Sequence, residues 1–254
     1  PNQAPSLGVA GWTEGDKSVL LNDQFDIWEI HPDGSGARMV TNGEGRKQKL
    51  VFRYRAPFDA EAAAGAGPAG GGAGGGRGGG GGTAGAISTT KPVTLTTTNY
   101  DTRASGFYRT GFTGTAAPEK IFMIDKQVGA PQKARDADVM VFTEQTFHEF
   151  PDLWLTDMKF ANPQKVSNAN PQQAEFVWGN AERIKYINGD GKVLGAILIK
   201  PDNFDPSKKY PMMVYIYEEL SEGLHGYRAL APGTSINITR YVSNGYVVLE
   251  PDIE

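Results

Sequence analysis

The chain has 254 residues, with 33 Gly, 16 Pro and no Cys, and sets 25 Lys and Arg against 29 Asp and Glu. Without cysteine there is no disulfide framework, thiolate metal site or thiol nucleophile. The net charge of −4 argues against a broad nucleic-acid surface, which needs clustered Lys and Arg. The longest apolar runs, Met212 to Tyr217 and Tyr246 to Leu249, fall far short of the roughly 20 residues a membrane helix needs. The opening Pro1-Asn2-Gln3-Ala4-Pro5 has neither an initiator Met nor a signal-peptide pattern, and is expected to be an internal start.

From Gly11 to Arg55, short apolar runs alternate with turn residues. Ser18 to Leu21, Phe25 to Ile30, Ala37 to Thr41 and Lys49 to Tyr54 read as strands, with His31-Pro32-Asp33-Gly34 as a turn. Residues 59–86 differ in kind, because 14 of the 33 glycines lie between Gly65 and Gly85. Such a stretch has no apolar surface to offset the entropy of ordering and is expected to be a flexible, disordered insertion. Gly65-Ala66-Gly67-Pro68-Ala69-Gly70 matches G-x-G-x-x-G, but no strand leads in and no helix follows, so no dinucleotide site is read there. Arg77 stands alone among glycines, whereas RGG-type RNA segments carry several arginines.

Pro92 to Thr98, Gly106 to Gly111, Lys120 to Asp125 and Val139 to Thr143 continue the series of strands. Within it lies a repeat. Phe25-Asp26-Ile27-Trp28 followed by Met39-Val40-Thr41-Asn42 has a counterpart in Pro151-Asp152-Leu153-Trp154 followed by Lys165-Val166-Ser167-Asn168. Each copy spaces Asp and Thr or Ser by 15 residues, as two equivalent hairpins would, and repetition of one all-β unit favours propeller blades. Asp26 and Asp152 are read as satisfying turn amides, and Trp28 and Trp154 as blade core.

Past Asn170-Pro171 the pattern changes. Arg183 to Ile187, Asn188-Gly189-Asp190-Gly191 and Val193 to Ile199 form a hairpin signature. Met212 to Tyr217 reads as a strand buried on both faces, Ile236 to Ser243 as a short helix, and Tyr246 to Leu249 as a second buried strand. The expected fold is mixed: partial all-β propeller over residues 1–175, then the N-terminal part of an α/β domain over 176–254. Two parallel strands and a hairpin cannot bury both faces of a sheet, so more of this domain is expected beyond Glu254, and poor solubility in isolation with it.

The residues that follow parallel strands collect ligands in open α/β sheets. They are Tyr217-Glu218-Glu219 and Glu250-Pro251-Asp252. Phe150 to Trp154, Gly191 to Leu198, Lys200-Pro201-Asp202-Asn203-Phe204-Asp205-Pro206, Lys209 to Tyr215 and Ser243 to Val248 together resemble prolyl oligopeptidase-type serine peptidases, in their dipeptidyl-peptidase-like branch. The likeness covers residues 140–254 well. It implies a β-propeller followed by an α/β-hydrolase domain, a Ser-Asp-His acyl-enzyme mechanism, peptide substrates, no cofactor, and the option of a homo-oligomer of the longer protein. The resemblance leans toward a periplasmic or extracellular setting; the residues themselves name no compartment.

No G-x-S-x-G occurs here. In the fold's order Ser, Asp and His are expected beyond Glu254, so this chain alone is expected to be inactive. By resemblance Tyr217 is an oxyanion-hole donor, a role that suits a neutral phenol. The residue alone fits a strand-end tyrosine filling an interface equally well. Where the family often has Gly-Gly-Pro or Ala-Gly-Pro, this chain has Glu218-Glu219-Leu220, read as a solvated loop edge rather than an acidic clamp. His31, His148 and His225 do not match the catalytic His position; only His225 is expected near the cleft. Asn237-Ile238-Thr239 is a sequon placed inside the expected helix. Two other readings are a non-catalytic propeller module with a degenerate hydrolase-like tail, and an interaction protein acting through the glycine tract.

Overall fold

The computed structural model describes residues 7–55, 86–230, 233 and 235–253. The glycine-rich insertion expected over 59–86 lies outside the described residues, Ala86 excepted. The chain forms two compact units. One comprises Pro1–Asp101, Ser105–Met123 and Met158–Phe160, the other Thr102–Ala104, Ile124–Asp157 and Ala161–Glu254.

In the first unit, strands β1 (Val9–Trp12), β2 (Val19–Asn22), β3 (Ile27–Ile30) and β4 (Ala37–Met39) pair in sequence order as an antiparallel sheet. A five-residue helix α1 (Glu44–Gln48) leads into a second four-stranded sheet. It consists of β5 (Leu50–Arg55), β6 (Val93–Asn99), β7 (Ser105–Thr110) and β8 (Glu119–Ile124). Alternation puts Leu20 and Ile27 of the first sheet into one core with Phe52 and Leu95 of the second, each no more than 1 % exposed. Burying such a side chain fully stabilises the fold by about 1.5–3 kcal/mol.

The second unit begins with β9 (Gln127–Val128), β10 (Gln132–Lys133), β11 (Val139–Gln145), β12 (Asp152–Asp157) and β13 (Gln164–Lys165). Strands β10 to β13 pair in order, and β9 also pairs with β11. Then follow β14 (Gly179–Ile187), β15 (Val193–Pro201), β16 (Met212–Val214), helix α2 (Ile238–Ser243) and β17 (Val247–Pro251). They form a mixed sheet ordered β14-β15-β17-β16, in which only β16 and β17 are parallel. The β14–β15 turn closes because the Asn188 side-chain oxygen accepts from the Asp190 and Lys192 amides, and Gly191 takes φ +80°. Ile238 and Val242 of α2 pack on Ile197, Ile199 and Val248.

The hairpin repeat has a physical basis. Asp26, fully buried, accepts from the Thr41 hydroxyl at 2.6 Å and from the Gly45 and Arg46 amides at 2.9 and 3.0 Å, which starts α1. Thr41 in turn accepts from the Ile27 amide. Asp152 repeats this with the Ser167 hydroxyl at 2.6 Å and the Ala169 amide at 2.9 Å, while Ser167 accepts from the Leu153 amide. Each aspartate thus ties the start of one strand to the segment that follows the next.

Three readings change. Met212 to Tyr217 is not a strand buried on both faces: β16 is three residues long and lies at the sheet edge, with Met212 54 % and Val214 47 % exposed. Apolar composition reports that a segment can be buried, not whether a neighbour stands beside it. Trp28 and Trp154 are half-buried rather than core: Trp28 alternates with the inward positions of β3, and Trp154, on the same face of β12 as the buried Asp152 and Thr156, borders an open cavity. Asn237 is not inside the helix but at its N-cap, where its side chain accepts from the Arg240 amide at 3.0 Å.

Asp26→Ala leaves a hydroxyl and two amides without their acceptor and is expected to cost about 3 kcal/mol, read from the urea midpoint. Burial alone would raise the Asp152 carboxyl, but the Lys165 ammonium, the Ser167 hydroxyl and the Ala169 amide outweigh it and hold it below the ordinary value. Its contribution to stability is therefore present above the unfolded-state value of about 3.9, and is lost as pH falls through the lowered folded value. Urea midpoints measured down to about pH 3 should show a smaller acid loss in Asp152→Asn than in the parent.

Candidate functional site

The C-terminal ends of β16 and β17 lie side by side. Their pairing runs from Met212 opposite Val247 to Val214 opposite Leu249, and the Tyr215 amide adds a bond to the Leu249 carbonyl at 2.9 Å. The chain then leaves the sheet, and Tyr217 stands 60 % exposed just beyond the strand. Its hydroxyl has no partner among the described residues, so it is available as a donor.

The loop that carries Tyr217 is held from β17. The Asp252 carboxylate accepts from the Ser221 amide at 2.7 Å, and the Ile253 amide donates to the Glu218 carbonyl at 3.2 Å. Asp252 is itself fixed by its amide on the Gly195 carbonyl and by the Tyr186 hydroxyl donating to its carbonyl. Ser221 is fully buried and accepts from the Arg103 guanidinium at 3.0 Å. Gly195 lies under this knot. A Cβ there would stand 2.7 Å from the Asp252 carboxylate, 3.2 Å from the Arg183 guanidinium and 3.3 Å from the Ser221 hydroxyl.

Further along the loop, Arg228 makes a two-pronged pair with Glu250 at 2.7 and 2.8 Å. Glu250 is 1 % exposed, so this charge-assisted pair satisfies a carboxylate that would otherwise be buried alone. His225 places Nε2 at 3.2 Å from both the Thr102 carbonyl and the Asp125 carboxylate. Glu218 and Glu219 are exposed. His148 sits apart from this loop, its Nδ1 3.5 Å from Asp202, and His31 lies in the β3–β4 turn.

The sequence points to Tyr217, the acidic pair and Glu250-Pro251-Asp252 as strand-end residues, but not to Ser221, Arg103 or Arg228, nor to Asp252 and Glu250 as supports of the loop. One signal was present for Glu250, a carboxylate directly continuing the apolar run Tyr246 to Leu249. Arg103 and Ser221 are 118 residues apart and carry no local signal.

No family model matches the chain. It is 36 % identical over 70 residues to a probable dipeptidyl-aminopeptidase B of Ajellomyces capsulatus, an alignment covering 27 % of this chain and 7 % of that protein. A putative dipeptidyl aminopeptidase IV from Bacteroides ovatus superposes with a TM-score of 0.57 at 14 % identity, over 96 % of this chain and 33 % of its own. Porphyromonas gingivalis dipeptidyl peptidase 4 gives 0.57 and 14 %, over 95 % and 30 %. A post-proline cleaving enzyme of Rickettsia typhi gives 0.52 and 12 %, over 97 % and 33 %. The chain thus resembles the prolyl oligopeptidase-type peptidases, over a short stretch of sequence and in fold. It spans about a third of these solved chains and a small part of the curated relative. Its predominantly β architecture corresponds to the propeller region of such peptidases. No helix among the described residues is long and apolar enough to cross a membrane.

Gly195→Ala should force the Asp252 carboxylate off the Ser221 amide, at a cost of about 2 kcal/mol. Hydrogen exchange should then show the Ser221 amide losing protection while the β14–β15 ladder near Ile187 and Val193 keeps its own.

Proposed function

We propose that the chain is part of a serine peptidase that cleaves oligopeptides, with residues 1–175 supplying propeller blades and 176–254 opening an α/β-hydrolase domain. The observation that carries this is Tyr217. It is an exposed phenol at the C-terminal end of a parallel strand, in a sheet ordered β14-β15-β17-β16 that follows three antiparallel sheets. That order, with a hairpin first and a parallel crossover through α2, is how an α/β-hydrolase sheet begins.

In this reading a serine, an aspartate and a histidine lie in the sequence beyond Glu254. The serine oxygen attacks the peptide carbonyl as the histidine takes its proton. The carbonyl oxygen becomes an oxyanion, and the Tyr217 hydroxyl donates to it. Collapse of the tetrahedral centre breaks the C–N bond, the histidine returns the proton to the leaving amine, and water then releases the acyl group by the same steps in reverse. The hydroxyl contributes to rate only if its hydrogen bond strengthens as the charge develops, which requires the ring to be held in place beforehand. The Asp252–Ser221 knot is what holds its loop. The 254 residues alone carry out no such step.

The test uses the longer protein. It should label with a fluorophosphonate probe and cleave dipeptidyl or oligopeptide amides, and Tyr217→Phe should lower kcat by about 10²–10³ with KM nearly unchanged. A protein that folds but neither labels nor cleaves overturns the proposal in favour of a non-catalytic binding module. Labelling with an unaltered kcat in Tyr217→Phe removes the tyrosine from the mechanism.

A further inference from the structure

A cavity of about 580 Å³ opens within the second unit, between the β11–β12 side of its antiparallel sheet and the segment that leads into β14. No residue of the Tyr217 loop lines it. Its chemistry starts from the strand register. Glu144 on β11 stands directly opposite Asp152 on β12, so two carboxylates share one face. Such a pair is unfavourable unless cations intervene.

Asp152 is fully served, by Ser167, Ala169 and the Lys165 ammonium at 2.7 Å. Glu144 is not. It is 7 % exposed, and no donor stands within ordinary hydrogen-bond distance of its carboxylate among the described residues. The nearest cation, the Lys126 ammonium, stands 3.6 Å away and lies closer to Glu149, at 2.8 Å. Burial accordingly pushes the Glu144 carboxyl above its ordinary range, with Lys126 opposing the effect only in part.

Beside this carboxylate the cavity is aromatic. Trp154, half-buried on the same strand as Asp152, already has the Lys126 ammonium 6.0 Å from its ring centroid, and Phe150 and Phe176 add further ring surface. Asn168 lines the opening with a side-chain amide that has no partner among the described residues. A buried carboxylate short of donors, a ring able to take a cation and a free amide oxygen describe one ligand group better than others. It is flat, cationic, and offers several N–H donors in one plane.

We propose that this cavity binds the guanidinium of an arginine residue in a peptide or protein segment. The fork of the guanidinium can address both oxygens of Glu144 while its plane lies on Trp154, with a remaining N–H for the Asn168 oxygen. A lysine ammonium, compact and more strongly hydrated, meets the carboxylate but not the ring plane and the amide together. The site is independent of any peptidase chemistry and stands or falls separately from it.

The experiment titrates the whole chain with N-acetyl-arginine methylamide, following the tryptophan indole N–H resonances by NMR. The Trp154 resonance should shift saturably while those of Trp12 and Trp28 stay in place. Glu144→Gln should weaken binding by about tenfold and Trp154→Leu by about fivefold, whereas Glu182→Gln, an exposed acid elsewhere in the second unit, should leave it unchanged. Free arginine should bind as the peptide analogue does if only the side chain is read, and the matched lysine analogue should bind at least about fivefold more weakly. Absence of a saturable Trp154 shift overturns the proposal. So does a folded Glu144→Gln that binds like the parent, or a lysine analogue that binds as tightly. Should Glu144→Gln fail to fold, the parent's Trp154 shift, the Trp154→Leu titration and the lysine comparison still decide.

Discussion

A buried aspartate, met twice, organises the antiparallel sheets. Asp26 and Asp152 each take one hydroxyl and at least one backbone amide from the segment after the following strand. A carboxylate can do this because it offers about four lone-pair sites, whereas a backbone carbonyl offers two and is already committed to the ladder. The bond is therefore a junction between segments that do not pair with each other. In the first sheet it joins β3 to the start of α1, whose short length gives it little stability of its own. In the second unit it joins β12 to residues 167–169, and so fixes one wall of the cavity beside Glu144.

The same feature explains what could be read from the residues alone. Asp and Thr or Ser at a fixed spacing of 15 form a pattern that survives in sequence because both ends of the bond are local to one hairpin. The β14–β15 turn was equally legible, as Asn188 and Gly191 satisfy the turn within a few residues. Features that depend on a distant neighbour were not. The apolar run from Met212 looks the same whether it lies mid-sheet or at an edge, and in the fold it is an edge strand with alternate side chains exposed. Trp28 and Trp154 are large and apolar, so composition puts them inside, yet strand alternation turns Trp28 outward and Trp154, though it faces inward, borders an open cavity. Helix α1 escaped notice because its first amides are capped by Asp26, which lies well upstream in the chain. Arg103 beneath Ser221 and Lys126 beside Glu144 likewise bring charge from segments with no visible link to their partners.

The site at the end of β16 shows how a position beyond a short strand can be made definite. An edge strand of three residues cannot hold a tyrosine three positions beyond it by ladder hydrogen bonds alone. The loop is instead fastened from β17, by Asp252 on the Ser221 amide and by Ile253 on the Glu218 carbonyl. Arg103 closes the arrangement from below, and at position 195 only glycine leaves room for it. The glutamates at 218 and 219 fit this scheme without being part of it. The Glu218 carbonyl is held by the Ile253 amide, both side chains are exposed, and a bulkier loop than Gly-Gly-Pro is tolerated because that restraint acts on a main-chain group.

The two polar centres of the second unit illustrate opposite uses of buried charge. Glu250 is buried and fully answered by a two-pronged arginine, so it stabilises a loop and has nothing left to offer a ligand. Glu144 is buried nearly as deeply but answered only by an ammonium at 3.6 Å that is shared with Glu149. Taking a carboxylate out of water costs several kcal/mol, which a distant, shared cation offsets only in part. The residual cost is what distinguishes a structural pair from a receptive one. At Glu250 the arginine is built into the chain; at Glu144 the nearest cation is a lysine held closer to another carboxylate.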